Sequence, residues 1–349
     1  MANLHQIGTP AATPLAEGLS LWRRIADPAN PRPSGEAVAA FGRLVSAATA
    51  EAVLGPGPDL PPAMVGQTRL LNRFRHGTGR HWLGALRDAG IPAVALKGLA
   101  TGAWLYPRAE DRAVSDADIL VRRGDLGAAL DLFRGAGFAF EALPTRSRWG
   151  FIGDASFQPL MAPDGGTNID LHVEGDAWPF ARALTVDEIF AEATTCGEIS
   201  APSPTHCLLL AASHTARDLF TVDSIKTVVD GLLMLRRPEE FNWRELAARA
   251  RRGQMLRPVS SYLALLGRLG AGVEPAAKAG MPVARIGGAA FEAVVKAHLQ
   301  LFPETTAPGA LARLVREWRL AAEPGVALRR DLKRLTGLVR PDRGLPPGT

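Results

Sequence analysis

Asp116 and Asp118 stand at alternate positions in the run Ser115-Asp116-Ala117-Asp118-Ile119-Leu120-Val121. On a strand, residues two apart project to one side, so these two carboxylates converge on one point. Paired fixed negative charges need a cation, and oxygen donors of this kind suit Mg²⁺, which takes one or two carboxylates and completes its shell with water and substrate phosphates. The pair alone is weak evidence. With 35 acidic residues in 349, chance supplies roughly three or four acidic i,i+2 pairs. Three neighbours add weight. Asn168-Ile169-Asp170-Leu171-His172 reads as a strand with Asp170 and His172 on one face, so Asp170 can complete a three-carboxylate site. Lys97-Gly98 sits at a strand-to-helix junction, where glycine admits a phosphate and free helix N–H groups face an anion. Arg112, four residues before Asp116, can pair with carboxylates or grip a phosphate.

The elements that must position these groups follow from periodicity and punctuation. Residues 1–35 read as an arm with one helical turn near Leu19–Ile25, followed by a single alanine-rich helix over 35–54 that stops at Gly55-Pro56. A second helix is expected over 67–88, then a buried strand over 91–96 and a short helix from Gly98 to Leu105. Ala117–Val121 is a strand and 124–135 an amphipathic helix. Strands are expected at 149–153 and 156–161, the second joined to 168–174 as a hairpin through Pro163-Asp164-Gly165-Gly166. Past Thr205 helical spacing dominates to about Leu338, with His214 and Asp230 on those helices. Each can serve as an interhelical hydrogen-bonding group or line an acceptor cleft.

Taken together, Ile91-Pro92-Ala93-Val94-Ala95-Leu96-Lys97-Gly98, Leu105-Tyr106-Pro107, Arg112, the Asp116/Asp118 strand and Asp170-Leu171-His172 resemble the bacterial nucleotidyltransferase family with a polymerase-β-like core. They are similar in particular to a poorly characterised branch marked by an LKG step, a YP pair, an R…DxD strand and a later DLH, over about residues 65–240. The resemblance implies an α/β (α+β) fold with a mixed sheet, flanked by N-terminal helices and an appended helical domain. It implies that Asp116, Asp118 and Asp170 bind Mg²⁺ (or Mn²⁺) with the triphosphate, and that Asp170 helps deprotonate an acceptor hydroxyl. Lys97, Gly98 and Arg112 become the nucleotide-binding candidates, with Lys97 facing the leaving pyrophosphate. His172, His214 and Asp230 become acceptor-side or supporting residues. The donor is an NTP, ATP among them. The acceptor is a small molecule, a protein or a peptide, including a peptide natural product. The superfamily's glycine step usually continues with Gly or Ser, and here Gly98 is followed by Leu99.

Composition sets the outer bounds. The charge is +5, and 47% of residues are hydrophobic, enough for a substantial core. The expected division is an N-terminal arm and helix over 1–62, a catalytic core over 63–200, a helical domain over 201–340 and a disordered tail over 341–349. No apolar run approaches a membrane span, no secretory pattern opens the chain, and Cys196 and Cys207 match no zinc or disulfide spacing, so a cytoplasmic protein is expected. A pI of 9.7 invites nucleic acid, but the charge is dilute, and five of 40 basic residues are lysine: Lys97, Lys226, Lys278, Lys296 and Lys333. No GxSxG, P-loop or HExxH pattern occurs. Arg146, Arg148 and Trp149 form a basic-aromatic cluster able to stack on a base. The rival classes are a catalytically silent nucleotide- or peptide-binding module and an RNA-modifying, toxin-like transferase.

Overall fold

The computed structural model describes residues 13–140, 159–163, 165–301 and 309–337. Helices α1 (Leu15–Ala26), α2 (Gly35–Val45), α3 (Ala47–Leu54) and the long α4 (Pro62–Asp88) precede strand β1 (Ala93–Ala95). Helix α5 (Lys97–Leu105) follows at once, then β2 (Ala117–Val121), α6 (Leu126–Gly135), β3 (Ala139–Phe140), β4 (Leu160–Met161) and β5 (Ile169–His172). Beyond them come α7 (Val186–Ala191) and a hairpin of β6 (Thr194–Cys196) and β7 (Ile199–Ala201). The remainder is helical: α8 (Pro204–Arg217), α9 (Ile225–Leu235), α10 (Trp243–Arg252), α11 (Leu256–Arg268), α12 (Glu274–Lys278), α13 (Ala289–Gln300), α14 (Ala310–Arg316) and α15 (Pro324–Gly337).

The strands run β1-β2-β5-β4-β3 across one mixed sheet. All five residues of β2 are buried, as expected of a strand covered on both faces. It pairs antiparallel with β1 and parallel with β5, and the second register sets Asp118 opposite Asp170 and Leu120 opposite His172. Strand β4 pairs antiparallel with β5, so the expected hairpin forms at its β5 end, closed by a turn in which Gly165 N donates to Ala162 O at 3.1 Å.

Two large apolar clusters, and a small third of Ala322, Val326 and Ala327, fill the described residues. One lies around the sheet and takes Leu83 and Leu86 from α4, Leu99 from α5 and Phe133 from α6. The other is helical and centres on α8 and α9, which are buried nearly all round. Leu96, Tyr106 and Leu120 belong to this second cluster, so the helical part rests directly on the β1–β2 edge.

Two expectations change, and one further element appears. The N-terminal arm holds a full twelve-residue helix, α1, whose Leu21, Trp22 and Ile25 are wholly buried in the helical cluster. Trp22 Nε1 also donates to His298 O in α13 at 2.8 Å. The helix expected over 35–54 is two helices broken at Ser46, whose φ is +113° and whose Oγ caps α3 by accepting from Thr49 N at 3.2 Å. Residues 194–201 form the β6–β7 hairpin, which carries too few apolar residues to signal itself. The expected strand at 149–153, the cluster Arg146, Arg148 and Trp149, and the tail 341–349 lie outside the described residues.

Candidate active site

The site is built where β2 and β5 run side by side. Donor atoms of Asp118, Asp170 and His172 lie within 4.8 Å of one another. His172 Nε2–H donates to Asp118 Oδ1 at 2.9 Å, and the Lys97 ammonium contacts the same oxygen. Asp116 stands one step outward, half-buried. Ser115 Oγ donates to its Oδ1 at 2.7 Å, and the Asp116 charge acts on Asp170.

Two carboxylates this close cannot both carry a free charge. Burial, then the Asp118 and Asp116 charges, push the Asp170 carboxyl up to about 7 against the pull of Lys97. For Asp118 burial acts upward too, but the Lys97 ammonium and the His172 hydrogen bond outweigh it and hold this carboxyl well below the usual range. Lys97 answers in kind: burial favours its neutral form, and Asp118 overrides it to raise the pKa.

Lys97 reaches Asp118 from an unusual backbone position. Its φ is +46°, the left-handed region that L-residues avoid, at a cost of roughly 1–3 kcal/mol that tends to be stored at functional sites. The preceding amide, Leu96 N, donates to Asp118 O at 2.9 Å, which ties the junction to β2. Gly98 is required for packing: a Cβ there would stand 2.8 Å from Val114 Cγ1 and 3.5 Å from Arg112 Nη1.

Arg112 is buried, and its guanidinium meets Asp230 of α9 through Nε at 2.8 Å from Oδ1 and Nη2 at 2.8 Å from Oδ2. Tyr106 OH donates to Asp230 Oδ1 at 2.8 Å and Thr101 Oγ1 to Oδ2 at 3.0 Å. Asp230 thus collects the YP tyrosine and the motif arginine, a structural hub joining α9 to the segment that enters β2. From the other side α4 holds the same segment: Asn72 Nδ2 donates to Glu110 O at 3.0 Å, His76 Nε2 bonds Arg112 O at 2.8 Å, and Arg75 Nη1 donates to Val114 O at 2.7 Å. Asn72 and His76 escape a sequence reading. Their signal is two polar residues four apart on the buried face of α4, which otherwise shows Val65, Gly79, Leu83 and Leu86.

Between the sheet and the helical part lies a cleft of about 250 Å³. Lys97, Asp116 and Asp118 line one wall, and His214, Lys226 and Asp230 the other. Burial, then Arg217 and Lys97, push the His214 imidazole down to about 3, so it is neutral in ordinary buffers, and Arg217 Nη2 donates to its Nδ1 at 3.0 Å. Lys226 faces the cleft, where burial and then Arg112 and Arg75 lower its ammonium pKa.

The donor set fits a hard divalent cation. Asp170 Oδ1 is buried without a hydrogen-bond partner, as a carboxylate oxygen kept for a metal would be, and the Asp118 carboxylate lies beside it. His172 spends Nε2 on Asp118, the outer-sphere hydrogen bond that orients a ligating carboxylate.

Among the described residues no helix is long and apolar enough to cross a membrane. No curated protein and no solved structure matches the chain. A family model described as "Uncharacterised nucleotidyltransferase" matches residues 66–270, well over half of the 349, and spans every site residue above. The chain belongs to this uncharacterised nucleotidyltransferase family.

Proposed function

We propose that the protein moves a nucleoside monophosphate from an NTP to a hydroxyl of a small molecule, peptide or protein, using Mg²⁺ or Mn²⁺. The observation that carries this is the in-register parallel pairing of β2 with β5, which sets Asp118 across from Asp170 beside a cleft with a lysine on each wall. Asp118, Asp170 and Asp116 would hold the metal, which when bound would neutralise charge on the α-phosphate and on the entering and leaving oxygens.

The chain's own groups supply the rest. His172 keeps Asp118 oriented. Asp170, with a carboxyl near neutrality, is suited to take the acceptor's proton. Lys97 and Lys226 would share the triphosphate charge, and Arg112, committed to Asp230, fixes the segment entering β2. Calorimetric titration with each NTP in Mg²⁺ tests the reading. Wild type should bind at least one, and Asp118→Asn and Asp170→Asn should weaken Mg²⁺-dependent binding by roughly tenfold or more. Failure of wild type to bind any NTP with Mg²⁺ or Mn²⁺ would overturn it.

A further inference from the structure

Lys97 already does part of a cation's work at this site. Its ammonium contacts Asp118 Oδ1, the oxygen that also accepts from His172 Nε2. Around that oxygen the neighbouring donors are left open: Asp170 Oδ1 and His172 Nδ1 are both buried and unpartnered. A divalent ion bridging Asp118 and Asp170 must therefore enter beside a fixed positive charge, and two cations at such range in a partly dry site repel strongly. The lysine stem is flexible, and the ammonium lines the cleft in which phosphates would lie. Lys97 has a left-handed backbone at the first residue of α5, and its side chain reaches Asp118 on β2.

We propose that Lys97 is the resident counter-ion of the free protein and passes from Asp118 to the phosphates of an incoming nucleotide, so that the site admits metal together with nucleotide and refuses metal alone. The identity of the incoming anion rests on the nucleotidyltransferase reading, whereas the ion pair does not. The site would then exchange one cation for another without leaving three acids exposed to one another. Metal affinity would depend on the nucleotide through a single side chain.

Mn²⁺ binding to the full chain, followed by electron paramagnetic resonance of the free ion without nucleotide, tests this. Lys97→Met should bind Mn²⁺ at least tenfold more tightly than wild type. Lys97→Arg, which keeps a cation on Asp118, should bind as weakly as wild type. Lys97→Gln serves as a second uncharged variant if circular dichroism shows the Met variant unfolded. Equal Mn²⁺ affinity in wild type and the uncharged variants overturns the counter-ion role. Adding α,β-methylene-ATP separates the two claims. If the analogue binds wild type while the uncharged variants gain no Mn²⁺ affinity, the counter-ion falls and the nucleotide reading stands. If the uncharged variants gain Mn²⁺ but wild type ignores the analogue, the ion pair stands and the nucleotide reading falls, with the lysine transfer that depends on it.

Discussion

Asp118 and Asp170 are chemically alike and are driven in opposite directions by what touches them. Lys97 and His172 hold Asp118 ionised, while Asp170 faces two carboxylates and keeps its proton to about pH 7. Because the folded state grips the Asp170 proton more tightly than the ordinary value of 3.8, this group favours folding at low pH. Its contribution is full below about pH 4 and is lost as pH rises through about 7. Thermal melts in metal-free buffer across that window should show a downward drift in Tm that Asp170→Asn flattens. An unaltered slope in the variant contradicts the assignment. On activity, Asp118→Asn and Asp170→Asn should each reduce Mg²⁺-dependent NTP turnover by about 10³-fold or more with the circular dichroism spectrum unchanged. The DxD pair was legible because a strand repeats every two residues. The partnership of Lys97 with Asp118 was not, since it depends on a left-handed backbone that no lysine advertises.

At the scale of elements, the segment between α5 and β2 is where sequence motif and structure diverge most usefully. In the sequence Arg112 is a nucleotide-binding candidate and Tyr106 part of the YP pair, and both bond Asp230, more than a hundred positions along the chain. Only tertiary packing brings them together. Breaking one side of this buried pair leaves the other charge stranded, so Arg112→Ala and Asp230→Ala should each cost about 3–5 kcal/mol of stability in denaturant titration. A loss under about 1 kcal/mol would mean the pair is solvated like a surface bridge. The same lesson holds at α1. Proline and glycine around it mask a helix whose Trp22 and Leu21 complete the helical core, and Trp22→Ala should cost about 3–5 kcal/mol. Ser46 hides its break for the opposite reason, being a small residue between Val45 and Ala47 in an alanine-rich run that reads as continuous helix.

Across the whole molecule, the cleft belongs to neither part alone. The sheet contributes the acids, and α8 and α9 contribute His214, Lys226 and the Asp230 hub. The helical part is thus a wall of the site, and its apolar contact with Leu96 and Leu120 keeps that wall in place. Lys226→Ala should raise KM for the NTP by roughly tenfold, the loss of one charge-assisted contact, with thermal stability unchanged. An unaffected KM would confine nucleotide binding to the sheet side. The switch from mixed to helical spacing near Thr205 has its counterpart in the element order, in which no strand follows β7 among the described residues. The strand register that aligns Asp118 with Asp170 is a long-range pairing, and no local pattern reports it.

Label transfer decides whether the protein moves a nucleoside monophosphate. The protein is incubated with Mg²⁺, candidate acceptors, and each NTP labelled in turn at the α- or γ-phosphate. The α-label should become bound to an acceptor, the γ-label should leave as pyrophosphate, and Asp118→Asn should abolish both. Label reaching the acceptor from the γ-position, or transfer that survives loss of Asp118, would contradict it.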